Sequence, residues 1–117
     1  MPADLLRGVV PRAAFAVVGV VSLFVLFVPA AGVPTAPPGT DKVVHLLLFA
    51  ALAVTGRWAG VTRVPLVVGL VAYAAVSEVV QGTTALGRSA SLADGLADVA
   101  GILLGLLIWS VGTRRTR

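Results

Sequence analysis

Four long runs of apolar residues alternate with short polar or proline- and glycine-containing segments along the chain. The runs cover residues 13–31, 43–58, 64–80 and 92–111. An α-helix rises about 1.5 Å per residue, so a helix of about 20 residues crosses the roughly 30 Å hydrocarbon core of a bilayer. The pattern therefore predicts an all-α integral membrane bundle of four transmembrane helices, formed by residues 13–111.

The segments between the runs carry signals that end helices. Residues 32–39 contain three prolines and two glycines, and residues 82–91 are polar and contain glycine. Because Arg7 and Arg12 precede the first run, a cleaved secretory signal is the alternative interpretation of that run. The run is longer than the usual apolar core of a signal, roughly 7–15 residues, which favours a retained helix.

Composition supports a membrane bundle and excludes several other classes of protein. Of the 117 residues, 58% are hydrophobic and 12% are charged, and the mean hydropathy is +1.03. A soluble domain of this size needs more polar surface. The chain has no cysteine, which excludes disulfides and thiolate-bound metals. Its net charge is +4, but the basic residues are scattered between apolar runs, which argues against nucleic-acid binding.

The basic residues also predict the orientation of the bundle. Seven of the nine lie on one side of a four-helix arrangement, and Lys42 and Arg88 lie on the other side. The positive-inside rule then places both termini in the cytoplasm, with residues 1–12 as an N-terminal segment and residues 112–117 as a basic tail. The sequence thus predicts a multi-pass protein of the cytoplasmic membrane.

Three ionisable residues lie about one helical turn in from the end of a predicted span. His45 is near the start of the second span, Glu78 near the end of the third and Asp98 near the start of the fourth. Because successive spans are antiparallel, all three are predicted at the outer side of the membrane. Ionisable side chains are costly in lipid, so we expect them to face the bundle interior and to pair with one another.

Further polar residues extend this cluster into a candidate ligand-binding site. Asp41 and His45 are four residues apart, as are Asp94 and Asp98, and residues at this spacing share a helix face. The complete set of candidates is Asp41, Lys42, His45, Glu78, Gln81, Arg88, Asp94 and Asp98.

Some of these residues also have a structural interpretation. Thr40 and Asp41 are placed to cap the second helix, where an acidic side chain gains from the helix dipole. Ser91 and Asp94 match the spacing of a capping box. Lys42 can extend toward lipid headgroups from the end of its helix. Function and capping therefore both remain open for the two aspartates.

The motifs together resemble the VanZ-like family of small bacterial membrane proteins. The resemblance covers residues 40–105 and is carried by Asp41-Lys42-x-x-His45-x-x-x-Phe49, Glu78-x-x-Gln81, Arg88 and Asp94-x-x-x-Asp98-x-x-Gly101-x-x-x-Gly105. Asp98 departs from the family pattern, which usually has Asn there. The family is named for a protein associated with resistance to the glycopeptide teicoplanin. The resemblance therefore implies a role in the bacterial cell envelope.

Two functions are compatible with these residues. The first is binding of a polar or anionic headgroup or an amphiphile in an outward-facing polar cavity, where Lys42 and Arg88 meet anionic groups. Membrane lipids, a lipid-linked envelope precursor or an amphiphilic drug would then be the partners. The alternative is an intramembrane enzyme acting on a lipid-linked substrate, in which His45 is the base and Glu78 or Asp98 orients it or acts as acid.

Metal binding and transport are weaker interpretations of the same residues. His45, Glu78 and Asp98 are metal-ligating types, but they lack HExxH-type spacing, so neither a metal nor another cofactor is expected. Proton or ion transport ranks last, because the inner half of the bundle contains no acidic residue to continue a relay. The four-residue spacing of Gly101 and Gly105 is assigned to close helix packing.

Overall fold

Four α-helices form the part of the chain that the computed structural model describes, namely residues 3–27, 39–82 and 92–115. The helices are α1 (Ala3–Phe27), α2 (Thr40–Trp58), α3 (Arg63–Gln81) and α4 (Leu92–Arg115). The predicted all-α class is confirmed.

The outer helices extend beyond the predicted apolar runs. α1 begins at Ala3, ten residues before the predicted first span, and includes Pro11 in its interior. α4 continues to Arg115, so residues 112–115 of the predicted basic tail are helical. These differences arise because apolar runs mark where lipid can cover a helix, whereas the helix itself continues into polar sequence. Residues 28–31 of the predicted first span lie outside the described residues.

Three segments of the described helices are long and apolar enough to cross a membrane. They are Gly8–Phe27, Arg63–Val80 and Leu92–Arg114. α2 is not among them, because its 19 residues include Asp41, Lys42 and Arg57. Length and composition therefore identify three candidate spans in place of the four predicted.

The N-cap of α2 is a glycine. Gly39 occupies this position with φ of 86° and no side-chain cap hydrogen bond, so neither Thr40 nor Asp41 is the N-cap residue. Glycine adopts this left-handed conformation without the steric cost of a Cβ atom. Asp41 still lies in the first turn, where its charge interacts favourably with the helix dipole. Ser91, the other half of the predicted capping box, lies outside the described residues.

α2 and α4 run parallel to each other. Lys42 contacts Asp94, and His45, which lies three residues further along α2, contacts Asp98, four residues further along α4. Further along the same pair of helices, Gly105 packs against Ala50. Contacts that advance in the same direction on both helices require a parallel pair.

α1 and α3 run in the opposite direction to α2. Phe15 in α1 and Leu66 near the start of α3 both pack against Gly56 near the end of α2. Further along α3, Tyr73 packs against Phe49, which is earlier in α2, and its hydroxyl oxygen is 2.8 Å from that of Ser22, later in α1. The bundle therefore has an up-down-up-down arrangement, with the starts of α2 and α4 and the end of α3 at one end.

Small residues bring α2 and α4 into backbone contact. A β-carbon added at Gly101 would overlap the carbonyl oxygen of Leu46, and one added at Gly105 would lie 2.5 Å from the carbonyl oxygen of Ala50. The close packing predicted for the two glycines is confirmed. This contact brings the polar side chains at the start of α2 close to those at the start of α4.

Large apolar side chains cover the outside of the bundle as well as its core. The buried core includes Leu26, Phe49, Leu52, Leu66, Leu70 and Ile102. On the outer faces of the four helices, Val17, Leu47, Val68 and Leu103 are each between 58% and 63% exposed. Soluble monomers rarely expose large apolar patches. This surface is compatible with a protein that lipid surrounds.

The end of the bundle opposite to the polar cluster is basic. Arg63 and Arg114 line the same shallow groove between the start of α3 and the end of α4. Arg57, near the end of α2, donates a hydrogen bond of 3.0 Å from Nη1 to the carbonyl oxygen of Val61. Among the described side chains, arginines thus lie at one end of the bundle, and four carboxyl groups with Lys42 lie at the other.

Candidate functional site

A buried histidine–carboxylate pair lies between α2 and α4. His45 Nδ1 is 2.7 Å from Asp98 Oδ1. The two residues are 2% and 0% exposed, so lipid and solvent reach neither of them from outside the bundle. When Asp98 is ionised, Nδ1–H of the imidazole donates to its carboxylate. This bond fixes the orientation of the ring and leaves Nε2 for proton exchange or ligand binding.

Glu78 joins the pair from the end of α3. One ligand atom each from His45, Glu78 and Asp98 lies within 4.8 Å of the other two. Glu78 is partly buried, whereas His45 and Asp98 are buried. The antiparallel direction of α3 brings its last turn to the level of the first turns of α2 and α4. The predicted meeting of these three residues is therefore confirmed.

A second ion pair lies nearer to the ends of the same helices. Lys42 Nζ is 3.5 Å from Asp94 Oδ1 and 3.9 Å from Asp41 Oδ1. The side chain of Asp94 is 10% exposed, while those of Lys42 and Asp41 are 46% and 53% exposed. Lys42 therefore lies where the buried cluster meets its surroundings. Its ammonium is positioned by two carboxylates.

The described part of the cluster is rich in acidic groups. Asp41, Glu78, Asp94 and Asp98 supply four carboxyl groups, against one ammonium and one imidazole. Both carboxyl groups of the inner cluster lie close to the same imidazole, and Asp98 Oδ2 is buried with no hydrogen-bond partner among the described residues. Carboxylates at such positions require a proton, a hydrogen-bond donor or a cation to offset desolvation.

Apolar residues close the cluster on the side of the bundle interior. Phe49 follows His45 by one helical turn and is fully buried. Its ring centroid is 5.8 Å from that of Tyr73, and the Tyr73 hydroxyl in turn contacts Ser22 on α1. The polar groups therefore lie at the end of an otherwise packed bundle.

Six of the eight predicted ligand-binding residues have described side chains. These six are grouped at one end of the bundle: Asp41, Lys42, His45, Glu78, Asp94 and Asp98. Gln81 is the final residue of α3, and Arg88 lies outside the described residues. Sequence reasoning did not select Ser22 or Tyr73. The sequence around a single hydroxyl residue in an apolar span does not indicate which helix that residue will contact.

Comparison with known proteins leaves the family open. No protein-family model matches the chain, and no curated protein or solved structure shows significant similarity to it. The resemblance to VanZ-like proteins therefore depends on the motif residues alone.

Proposed function

We propose that all four helices cross a membrane, including α2. α2 packs in parallel along α4, from the Lys42–Asp94 contact to the packing of Gly105 against Ala53. A helix that follows a membrane span over this length lies at the same depth as the span. Its 19 residues correspond to about 28 Å of helix, close to the thickness of the hydrocarbon core. The exposed faces of Val43 and Leu47 are apolar, as contact with lipid requires.

The charge distribution supports a cytoplasmic location for the arginine-rich end. Arg57, Arg63 and Arg114 lie at ends of α2, α3 and α4 that meet there. Arg12 precedes Phe15, which packs against Gly56 near the end of α2, by three residues. By the positive-inside rule, that end faces the cytoplasm and the polar cluster faces outward.

Single cysteines test both the four-span arrangement and its orientation. The chain has no cysteine of its own, so Thr40→Cys, Thr62→Cys and Gly82→Cys each give one thiol at a helix end. We expect an impermeant maleimide added to intact cells to label Thr40→Cys and Gly82→Cys, and to label Thr62→Cys only after permeabilisation. Equal labelling of Thr40→Cys and Thr62→Cys would show that α2 does not cross. Labelling of Thr62→Cys alone in intact cells would show that the orientation is the reverse of the one proposed.

We further propose that the outer end of the bundle binds the polar headgroup of an amphiphile. The observation that carries this proposal is the buried cluster of His45, Asp98 and Glu78, whose ligand atoms lie within 4.8 Å of one another. Ionisable side chains inside a membrane bundle are expensive and mark binding or reaction sites. Lys42 lies at the entrance to this cluster and supplies an ammonium that can meet an anionic group.

An apolar groove beside the cluster suits the hydrocarbon part of such a ligand. The groove runs between α1 and α2 and is lined by residues that include Val17, Val21, Val44 and Leu47. Val44 is adjacent to His45 in the chain, so the groove starts at the level of the polar cluster. An amphiphile can then place its chain along the groove and its headgroup at the outer end of α2.

The resemblance to VanZ-like proteins supports a role of this binding in the bacterial cell envelope. Lys42, His45, Glu78 and Arg88 stand at positions of the family motifs. On this proposal the ligand is a membrane lipid, a lipid-linked envelope precursor or an amphiphilic drug such as teicoplanin. The protein would lie in the cytoplasmic membrane with both termini inside.

Lipid retention by purified protein tests headgroup binding. We expect native mass spectrometry in detergent to detect a co-purified or added anionic amphiphile, and Lys42→Gln and Arg88→Gln each to weaken its binding about tenfold, because each removes one charged contact. Arg63→Gln is the matched control, since it removes an exposed positive charge at the opposite end. If Arg63→Gln weakens binding as much as Lys42→Gln does, the amphiphile does not bind at the cluster.

The histidine–carboxylate pair favours an intramembrane enzyme as a second candidate. Asp98 holds His45 through the 2.7 Å contact at Nδ1, as a general base is held in hydrolytic enzymes. In this mechanism Nε2 takes a proton from water, the water oxygen attacks the substrate, and Glu78 protonates the leaving group. Conversion of the retained amphiphile by the wild type but not by His45→Gln would select this candidate over binding alone.

A further inference from the structure

We infer that His45, Glu78 and Asp98 form a binding site for a divalent transition-metal ion. The inference goes beyond headgroup binding, because occupancy by a metal can be measured without any amphiphile. The three residues belong to three different helices, so no local sequence spacing could reveal them as a ligand set.

The donor atoms are of the right types and are nearly at the right separations. A ring nitrogen of His45 and one carboxylate oxygen each of Glu78 and Asp98 lie within 4.8 Å of one another. Ligands about 2.0–2.2 Å from a tetrahedral zinc ion are about 3.3–3.5 Å apart. An ion bound by all three residues would replace the His45–Asp98 hydrogen bond, and the carboxylates would rotate to reach these separations. One histidine with two carboxylates leaves the fourth position for water or for an oxygen of a ligand.

An unpartnered buried oxygen points independently to a cation. Asp98 is 0% exposed, and its Oδ2 has no hydrogen-bond partner among the described residues. Its Oδ1 is engaged by His45 at 2.7 Å. A buried carboxylate with one free oxygen carries a large desolvation cost, which direct coordination to a metal ion removes.

The charge of the ligand set matches a divalent ion. Two ionised carboxylates and a neutral imidazole carry two negative charges, which one divalent ion neutralises. The imidazole ligand favours a first-row transition metal such as zinc or iron over magnesium and calcium, which prefer oxygen ligands alone.

Metal titration of the full chain is the test. Because the chain has one histidine and no cysteine, a histidine-free affinity tag makes His45 the sole imidazole in the sample. After treatment with a chelator, we expect Zn²⁺ to bind with one-to-one stoichiometry in isothermal titration calorimetry. Co²⁺ should give the strong visible absorption of a tetrahedral site. Zn²⁺ should also shift the ¹⁵N resonances of the single labelled histidine.

Matched variants distinguish a built site from general attraction of cations. Loss of one ligand in His45→Gln, Glu78→Gln or Asp98→Asn should weaken Zn²⁺ binding about 100-fold or more, since even an indirect partner of a ligand contributes 10- to 100-fold. Asp41→Asn removes an exposed carboxylate from the same end of the bundle and should leave affinity unchanged. Glu78 is the least buried of the three ligands, so Glu78→Gln gives the comparison least affected by folding.

The outcomes separate this inference from headgroup binding. One-to-one Zn²⁺ binding that Glu78→Gln weakens and Asp41→Asn does not weaken supports the metal site, whether or not an amphiphile is retained. Failure of wild-type protein to bind Zn²⁺, Mn²⁺ or Co²⁺ with one-to-one stoichiometry overturns it. Equal losses in Asp41→Asn and Glu78→Gln, or an unshifted His45 resonance at saturation, also overturn it.

Discussion

Replacing His45 with alanine should lower the free energy of unfolding by about 3–5 kcal/mol, the usual cost of removing one partner from a buried charged pair. The change deletes the group 2.7 Å from Asp98 Oδ1, in a fully buried carboxyl group whose Oδ2 already has no hydrogen-bond partner among the described residues. The measurement is reversible unfolding of the purified protein in mixed micelles, in the presence of a chelator so that bound metal does not contribute.

A double-mutant cycle separates the pair from its surroundings. His45→Ala and Asp98→Ala should couple by about 0.5–3 kcal/mol, as residues in direct contact do. Leu47→Ala serves as the control, because Leu47 is exposed on the same helix. If the effects of the two site variants on the free energy of unfolding are additive, the pair is not a stabilising contact. The same conclusion follows if Leu47→Ala lowers the free energy of unfolding as much as His45→Ala does.

Replacing Gly101 with leucine should separate α2 from α4 and lower the free energy of unfolding by about 3 kcal/mol or more, at the upper end of overpacking effects. Even the first carbon of a side chain at this position would overlap the carbonyl oxygen of Leu46, which is backbone and cannot rotate away. The same displacement should pull His45 away from Asp98. Thermal unfolding and the ¹⁵N resonances of His45 would report both effects.

Gly69→Leu provides the matched control for this prediction. A β-carbon at Gly69 meets no atom within 4 Å, so a side chain there extends away from the other helices. We expect Gly69→Leu to leave stability equal or slightly higher, since leucine is a better helix former than glycine. A similar loss of stability in both variants would show that the insertion of leucine itself, and not contact between α2 and α4, is responsible.

The sequence was sufficient to predict which end of the bundle the polar residues share. His45, Glu78 and Asp98 each lie about one turn from a helix end, and alternation of helix direction places these ends together. The small residues at 101 and 105 likewise predicted close packing, because the spacing of four places both on one helix face. The distance of a residue from the end of its helix depends on one segment of the chain, so it can be predicted from the sequence of that segment.

Which residues pair across helices could not be predicted in the same way. The ion pair of Lys42 with Asp94, whose charged atoms are 3.5 Å apart, was not predicted, and it forms because the parallel packing of α2 and α4 brings their first turns together. The contact of Ser22 with Tyr73 depends on the rotation of α1 about its axis. The rotation of a helix about its axis depends on how all the helices pack together. It cannot be predicted from the hydropathy of that helix alone.

The parallel contact between α2 and α4 has a consequence for how the protein is made. His45 and Asp98 are separated by 53 positions in the chain, and α3 lies between their helices. On the proposal that α2 crosses the membrane, synthesis from the N-terminus inserts α2 before α4, the helix that carries Asp98, has been made. Until α4 has been inserted, His45 lacks its carboxylate partner and must be in contact with lipid, the insertion machinery or water. The His45–Asp98 pair can therefore form only after α4 has been made, and a chain truncated before Leu92 would lack the carboxylate that His45 contacts.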